Sequence, residues 1–252
     1  MANNSANKAT INNNIATGGS NANLYSRSLG GTKEPGVADP YVTGYSFIWF
    51  NTLPSSLTNF VSNMSISAMQ NYLAALNYSV NLPTVGLALD SIKGMGGTHF
   101  NVATALEIQN TFSTTFIELQ SAPIYKIING WVQMIRDIRT GLSNLASNTN
   151  ASYSKKNYSG TLYYWVTNPD GTGIVEAWYM SGVFPTTVPM DTFNSNIGEN
   201  SANTKPSITF AFDNLYPQSS LTSTGNSFIL SKCESLTSTI LSYRETLQNF
   251  AG

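Results

Sequence analysis

Residues 178–216 read WYMSGVFPTTVPMDTFNSNIGENSANTKPSITFAFDNLY. The stretch opens on aromatic and β-branched side chains, the composition of a strand. Gly182-Val183-Phe184-Pro185-Thr186 reads as a turn, and a polar spacer follows it. The stretch ends in SITFAFDNLY, where apolar and polar residues alternate with period two, the signature of a half-buried strand. The opening strand is predicted over Gly173–Met180, with another, Ser159–Val166, just before it. Asn168-Pro169-Asp170-Gly171 between them is a strong turn sequence.

Earlier in the chain the same patterns recur. TGYSFIWFNTL (43–53) predicts a strand with Tyr45, Phe47 and Trp49 on one face and Ser46, Ile48 and Phe50 on the other. Met69, Tyr72, Leu73 and Leu76 recur at helical spacing, so a short helix is expected from about Ser67. NYSVNLPTVGLALDSIKG reads as a strand, a Leu82-Pro83 turn and a further strand, and Gly94, Gly96 and Gly97 then form a loop. HFNVATALEI and TFSTTFIEL follow at hairpin distance, with Phe100, Val102, Thr104, Leu106 and Ile108 alternating. From Pro123 to Arg139, the residues Ile124, Ile127, Ile128, Trp131, Val132, Ile135 and Ile138 make one apolar helical stripe. Ser121 is placed to cap that helix and Gly141 to end it. Residues 143–157 are polar, and Phe228–Phe250 reads as a terminal helix.

Strands outnumber helices and no βαβ alternation appears. The expected class is therefore mainly β (α+β): an antiparallel β-sandwich or partial barrel with one flanking amphipathic helix, peripheral insertions and a C-terminal helix. Residues 1–40, rich in Asn, Ser and Gly, bury too little apolar surface to offset their ordering entropy and are expected to be a flexible arm. Residues 41–216 then form the β domain, with insertions near 59–76 and 141–158, and 217–252 a helical extension.

Composition narrows the function classes. Only 10% of the residues are charged, against about 25% in ordinary globular chains. A net charge of −1 leaves no basic surplus to neutralise phosphates, which excludes tight electrostatic nucleic-acid binding. Weak like-charge repulsion favours self-association. The one cysteine, Cys233, excludes a disulfide framework and a cysteine-based zinc cluster. No apolar run nears the ~18 residues of a membrane span, and MANNSANKATINNN lacks the apolar segment of a signal peptide.

Little in the chain points to catalysis. His99 is the only histidine and has no second histidine to complete a zinc site. Gly94-Met95-Gly96-Gly97 lacks the Lys-Ser/Thr of a phosphate loop, and Asp170-Gly171 lacks calcium-loop spacing. Nothing in the spacing of Asp90, Glu107, Glu118, Glu176 and Asp191 selects a glycosidase pair. Tyr163, Tyr164, Trp165, Trp178 and Tyr179 read either as sheet packing or as a carbohydrate-stacking platform. No catalytic, cofactor or metal residue is assigned.

The order of these segments resembles the tail tube proteins of contractile-tail bacteriophages, within the superfamily that includes type VI secretion tubes. The resemblance covers roughly residues 43–216. It is carried by YSFIWF, NYSVNLPTVGL, GMGGTHFNVATALEI with TFSTTFIEL, IYKIINGWVQMI, and most sharply by Gly182-Val183-Phe184-Pro185-Thr186. It implies a non-enzymatic virion protein made in the host cytoplasm. Hexameric rings would join their sheets into a β-barrel and stack into a hollow tube that serves genome ejection. The implied partners are further copies of the chain, the tail sheath, baseplate and tail-terminator proteins, and double-stranded DNA that passes without tight binding. Thr98, Asn101, Ala103, Ala105 and Glu107 would face the channel, with the alternate side chains of that strand packed on the core. The other reading is a β-sandwich carbohydrate- or receptor-binding module of a virion or surface protein.

Overall fold

A computed structural model describes residues 44–93, 99–145, 153–169, 173–193, 204–218 and 223–250. The arm expected over residues 1–40, the Gly94–Gly97 loop and Thr98 lie outside the described residues. The chain divides into two units, Met1–Thr43 and Gly44–Gly252, and every described element belongs to the second.

That unit is mainly antiparallel β with helices against it. In chain order the strands are β1 (Ser46–Thr52), β2 (Asn77–Asn81), β3 (Val85–Lys93), β4 (His99–Ile108), β5 (Thr111–Phe116), β6 (Gly160–Thr167), β7 (Ile174–Pro185), β8 (Ser207–Ala211) and β9 (Asn214–Pro217). The helices are α1 (Ile66–Ala75), α2 (Pro123–Ile135), the single turn α3 (Lys155–Tyr158) and α4 (Ser223–Phe250). One sheet runs β1-β6-β7-β8-β5-β2, with β9 also on β7. β3 and β4 form a separate two-stranded ribbon.

Gly182-Val183-Phe184-Pro185 is not a turn but the second half of β7. The strand is paired with β6 as far as Val183 and turns to β8 at Phe184 and Pro185. Gly182 at the switch has φ +72°, which glycine adopts without the Cβ penalty. Opposite it, β8 and β9 form one interrupted strand: Pro185 faces Phe210, Phe184 faces Ala211, Ser181 faces Asn214 and Trp178 faces Pro217.

The curved sheet holds two cores. Inside, Ile48, Phe50, Leu162, Met180, Phe112, Phe116, Ile208 and Phe210 pack against α1 and α2. α2 buries Ile124, Ile127, Ile128, Trp131 and Met134, and the Trp131 indole N–H donates to the Tyr158 carbonyl at 2.7 Å. Burying each such side chain stabilises the fold by about 1.5–3 kcal/mol before entropy is counted. α2 ends at Ile135, so Ile138 leaves the stripe and is exposed. Ser121 does not cap it. Its N-cap is Ala122, in a left-handed conformation without a side-chain bond, and the Glu118 carboxylate accepts from the Ile124 and Tyr125 N–H groups instead.

The outer face of β1, β6 and β7 is covered by α4. Phe47, Tyr163, Trp165 and Ala177 pack under Ile229, Cys233, Leu236 and Ile240. Trp49, Tyr163, Tyr179 and Tyr216 stand in one cross-strand row. The predicted alternation of β1 holds, Phe47 and Trp49 meeting the α4 side and Ile48 and Phe50 the inner core.

Candidate functional site

β4 and β5 do not form the hairpin their spacing predicts. β5 pairs with β2 and β8, whereas β4 pairs with β3. Only residues 82–84 separate β2 from β3, and only 109–110 separate β4 from β5. Gln109 N donates to Thr84 O at 3.3 Å across the junction. The ribbon is thus a continuation of the β2–β5 pair beyond the body. At its base β9 follows β7 while β4 leaves with β3, so among the described residues each of these two strands pairs along one edge only.

The ribbon is exposed on both faces. Leu87, Phe100 and Leu106 leave 60%, 60% and 61% of their surface in solvent. Val85, Leu89, Ile92, Val102 and Ile108 are exposed too. The sequence predicts that one side of β4 packs on the core; among the described residues it joins neither core and stays exposed. Monomeric proteins rarely leave such a contiguous apolar surface bare, and a lone two-stranded ribbon is marginal in water.

The register divides the ribbon. Ala88 pairs with Ala105 but Leu89 pairs with Ala103, so β4 carries one extra residue, Thr104, whose hydroxyl donates to Ala88 O at 3.2 Å. Alternation runs unbroken along β3, and directly opposed residues share a face. Below the bulge Val85, Leu87, Leu106 and Ile108 share one face with Leu89, and Gly86, Ala88, Ala105 and Glu107 take the other. Above it the sides exchange: Ile92, Phe100 and Val102 lie on the Glu107 face beside Asp90, while Ser91, Lys93, Asn101 and Ala103 lie on the Leu87 face. The predicted channel set is therefore split: Asn101 and Ala103 stand on one face, Ala105 and Glu107 on the reverse. An extra residue flips every side chain beyond it.

Sequence reading missed a second surface. On β2, β5 and β8 the inward residues Phe112, Thr114, Phe116, Ile208 and Phe210 are buried. The outward partners are Ser79 with Thr115, Asn81 with Ser113, Thr115 with Ser207, Ser113 with Thr209, and Thr111 with Ala211. These outward strand positions bear no charged side chain, and Lys205, just before β8, stands over the exposed Tyr78 ring of β2 at 4.0 Å. The period-two alternation of TFSTT and SITFA already encodes it.

The alternatives find no site here. Three surface hollows carry one carboxylate each, Glu234, Glu107 and Asp137. Among the described residues no three His, Cys, Asp or Glu side chains converge. Glu118 is engaged as the α2 cap, and Glu107, opposite Gly86, stands four residues along β3 from Asp90, too far for the two carboxylates to act as a pair. Tyr163, Tyr164 and Trp165 are buried, on alternate faces of β6, so the five aromatics form no carbohydrate platform. Burial pushes the Cys233 thiol up to about 12, far from a reactive thiolate. No helix among the described residues is long and apolar enough to cross a membrane.

No protein-family model matches the chain, and no curated protein does. Solved structures are similar at low identity. One is the sheath/tube terminator of an extracellular contractile injection system in its extended state (12% identity, TM-score 0.44, 72% of this chain and 98% of that one). Another is the sheath–tube complex of that kind of system (12%, TM-score 0.40, 72% and 93%). A third is an Hcp protein (12%, TM-score 0.34, 68% and 88%).

Proposed function

We propose that this chain is a structural subunit of a tail tube, and that it works as a polymer. The single observation that carries the reading is the β3–β4 ribbon, an extension of the body with apolar side chains uncovered on both faces. At 38–65% exposure, its eight large apolar residues offer roughly 800 Å² together, the amount one partner contributes to a standard interface. A second copy is the occupant that fits. Among the described residues the chain carries β strands with an unpaired edge, and edges of this kind are closed by pairing with another strand. Its net charge of −1 sets up no repulsion between copies.

In this reading the copies form hexameric rings whose sheets join around a channel, and the rings stack inside a contractile sheath between baseplate and terminator. The arm over residues 1–40 contributes to stacking. α4 covers the outer face of β1, β6 and β7, which leaves the outward face of β2, β5 and β8 for the lumen. With no cation on the strands themselves and Lys205 at their margin, that wall offers phosphates little to hold, and double-stranded DNA passes unretained. The test is negative-stain microscopy with sedimentation of the purified chain. Rings or hollow tubes are expected; a chain that stays monomeric at high concentration would overturn the reading.

A further inference from the structure

We infer that the ribbon grips two neighbouring copies at once, its base half holding one and its tip half the other, from opposite sides. The inference rests on the tube-subunit reading and adds to it how many neighbours the ribbon serves. Each half is one-sided. The base places Val85, Leu87, Leu89, Leu106 and Ile108 on one face and only Gly86, Ala88, Ala105 and Glu107 behind them. The tip places Ile92, Phe100 and Val102 on the reverse face, with Ser91, Lys93, Asn101 and Ala103 behind them. One flat neighbour can cover one of these patches. Covering both requires a copy on each side of the ribbon.

The device that separates the patches is the bulge at Thr104. Were one residue added to β3 opposite Thr104, β4 would alternate without a bulge, Phe100 and Val102 would rejoin Leu106 and Ile108 on one face with Ile92, and one neighbour would suffice. Both strand sequences are matched to the bulge. β3 has no extra residue, yet its apolar spacing changes phase there, from Val85, Leu87 and Leu89 to Ile92. The phase change in β3 matches the bulge in β4, so apolar residues stay opposite one another on both sides of it.

Three variants test this, all at ribbon positions outside the body: Leu87→Asp with Leu106→Asp at the base, Phe100→Asp at the tip, and insertion of one serine between Ala88 and Leu89, opposite Thr104. Circular dichroism and thermal melting confirm a folded body in each. Sedimentation velocity and microscopy then report the largest species formed. Base and tip variants are expected to arrest at different species, one at small oligomers and the other at discrete rings that do not stack. The insertion, which brings the tip patch onto the base face, should raise the concentration needed for tubes at least tenfold, although no apolar residue is lost. If base and tip variants arrest at the same species, or the insertion variant forms tubes like the parent, the two-neighbour assignment is overturned while the tube reading stands. A parent chain that forms neither rings nor tubes overturns both.

Discussion

Two single residues meet demands that few other side chains could. Gly182 sits at φ +72° where β7 turns from β6 toward β8, and a methyl group there would run into the Asp213 carboxylate, which is ion-paired with Lys155. Gly182→Ala should therefore destabilise the fold by about 1–3 kcal/mol, read as a lower urea midpoint; an unchanged midpoint would refute the account of this corner. Glu118 shows the opposite arrangement, a charge drawn into a half-buried site to close α2. Burial raises its carboxyl above the ordinary 4.5, and the N–H groups of Tyr125, Ile124 and Leu119 offset only part of that. The folded chain thus binds this proton more tightly than the unfolded chain does. Its contribution to stability is full below 4.5 and is lost as pH rises through the higher folded-state value. The stability of the parent relative to Glu118→Gln should fall as pH rises above 4.5 through the raised folded-state value; a difference that stays flat would show that the cap does not titrate. The glycine was legible as a special position but was read as a turn, because the sequence does not show that β7 has partners on both sides of it. Glu118 was not legible, since Ser121 and Pro123 already look like a complete helix start.

At the scale of elements, α4 is the piece whose attachment is easiest to probe. Its Arg244 donates to the Ala75 and Asn77 carbonyls at 3.2 and 3.5 Å and lies over the Phe47 ring at 5.2 Å. A cation at the C-terminal end of α1 also meets the negative end of that helix. Arg244→Ala should loosen α4, costing about 1–3 kcal/mol. Cys233 beneath the helix provides the readout, because its thiol is buried and held mostly protonated. Its alkylation rate should rise several-fold in the variant, and an unchanged rate would mean that α4 is held by Ile229, Leu236 and Ile240 alone. Helices and strands of this length were readable because periodicity reports local burial. Pairing was not. Phe100 to Ile108 alternate without interruption in the sequence, so nothing in β4 announces that Thr104 is extra. The clue lay in β3, where the apolar spacing slips after Leu89, and it becomes meaningful only once the two strands are set in register.

For the whole molecule, the sequence conveyed the class and the absence of charge, but an uncovered surface cannot be seen in a pattern that only separates apolar from polar positions. That distinction decides how assembly should respond to salt. Of the ribbon's large side chains, eight are apolar, and the charged ones are Asp90, Lys93 and Glu107. Association through ion pairs weakens as salt shortens the screening length from about 10 Å at 0.1 M to about 3 Å at 1 M. Association through apolar burial does not weaken, and excluded salts such as sulfate strengthen it. The concentration needed for tubes should therefore stay level or fall as sodium sulfate is raised, followed by light scattering with microscopy of the product. Steady dissolution of the tubes over the same range would mean that ionic contacts hold the copies together, and the apolar ribbon would no longer explain why this chain polymerises.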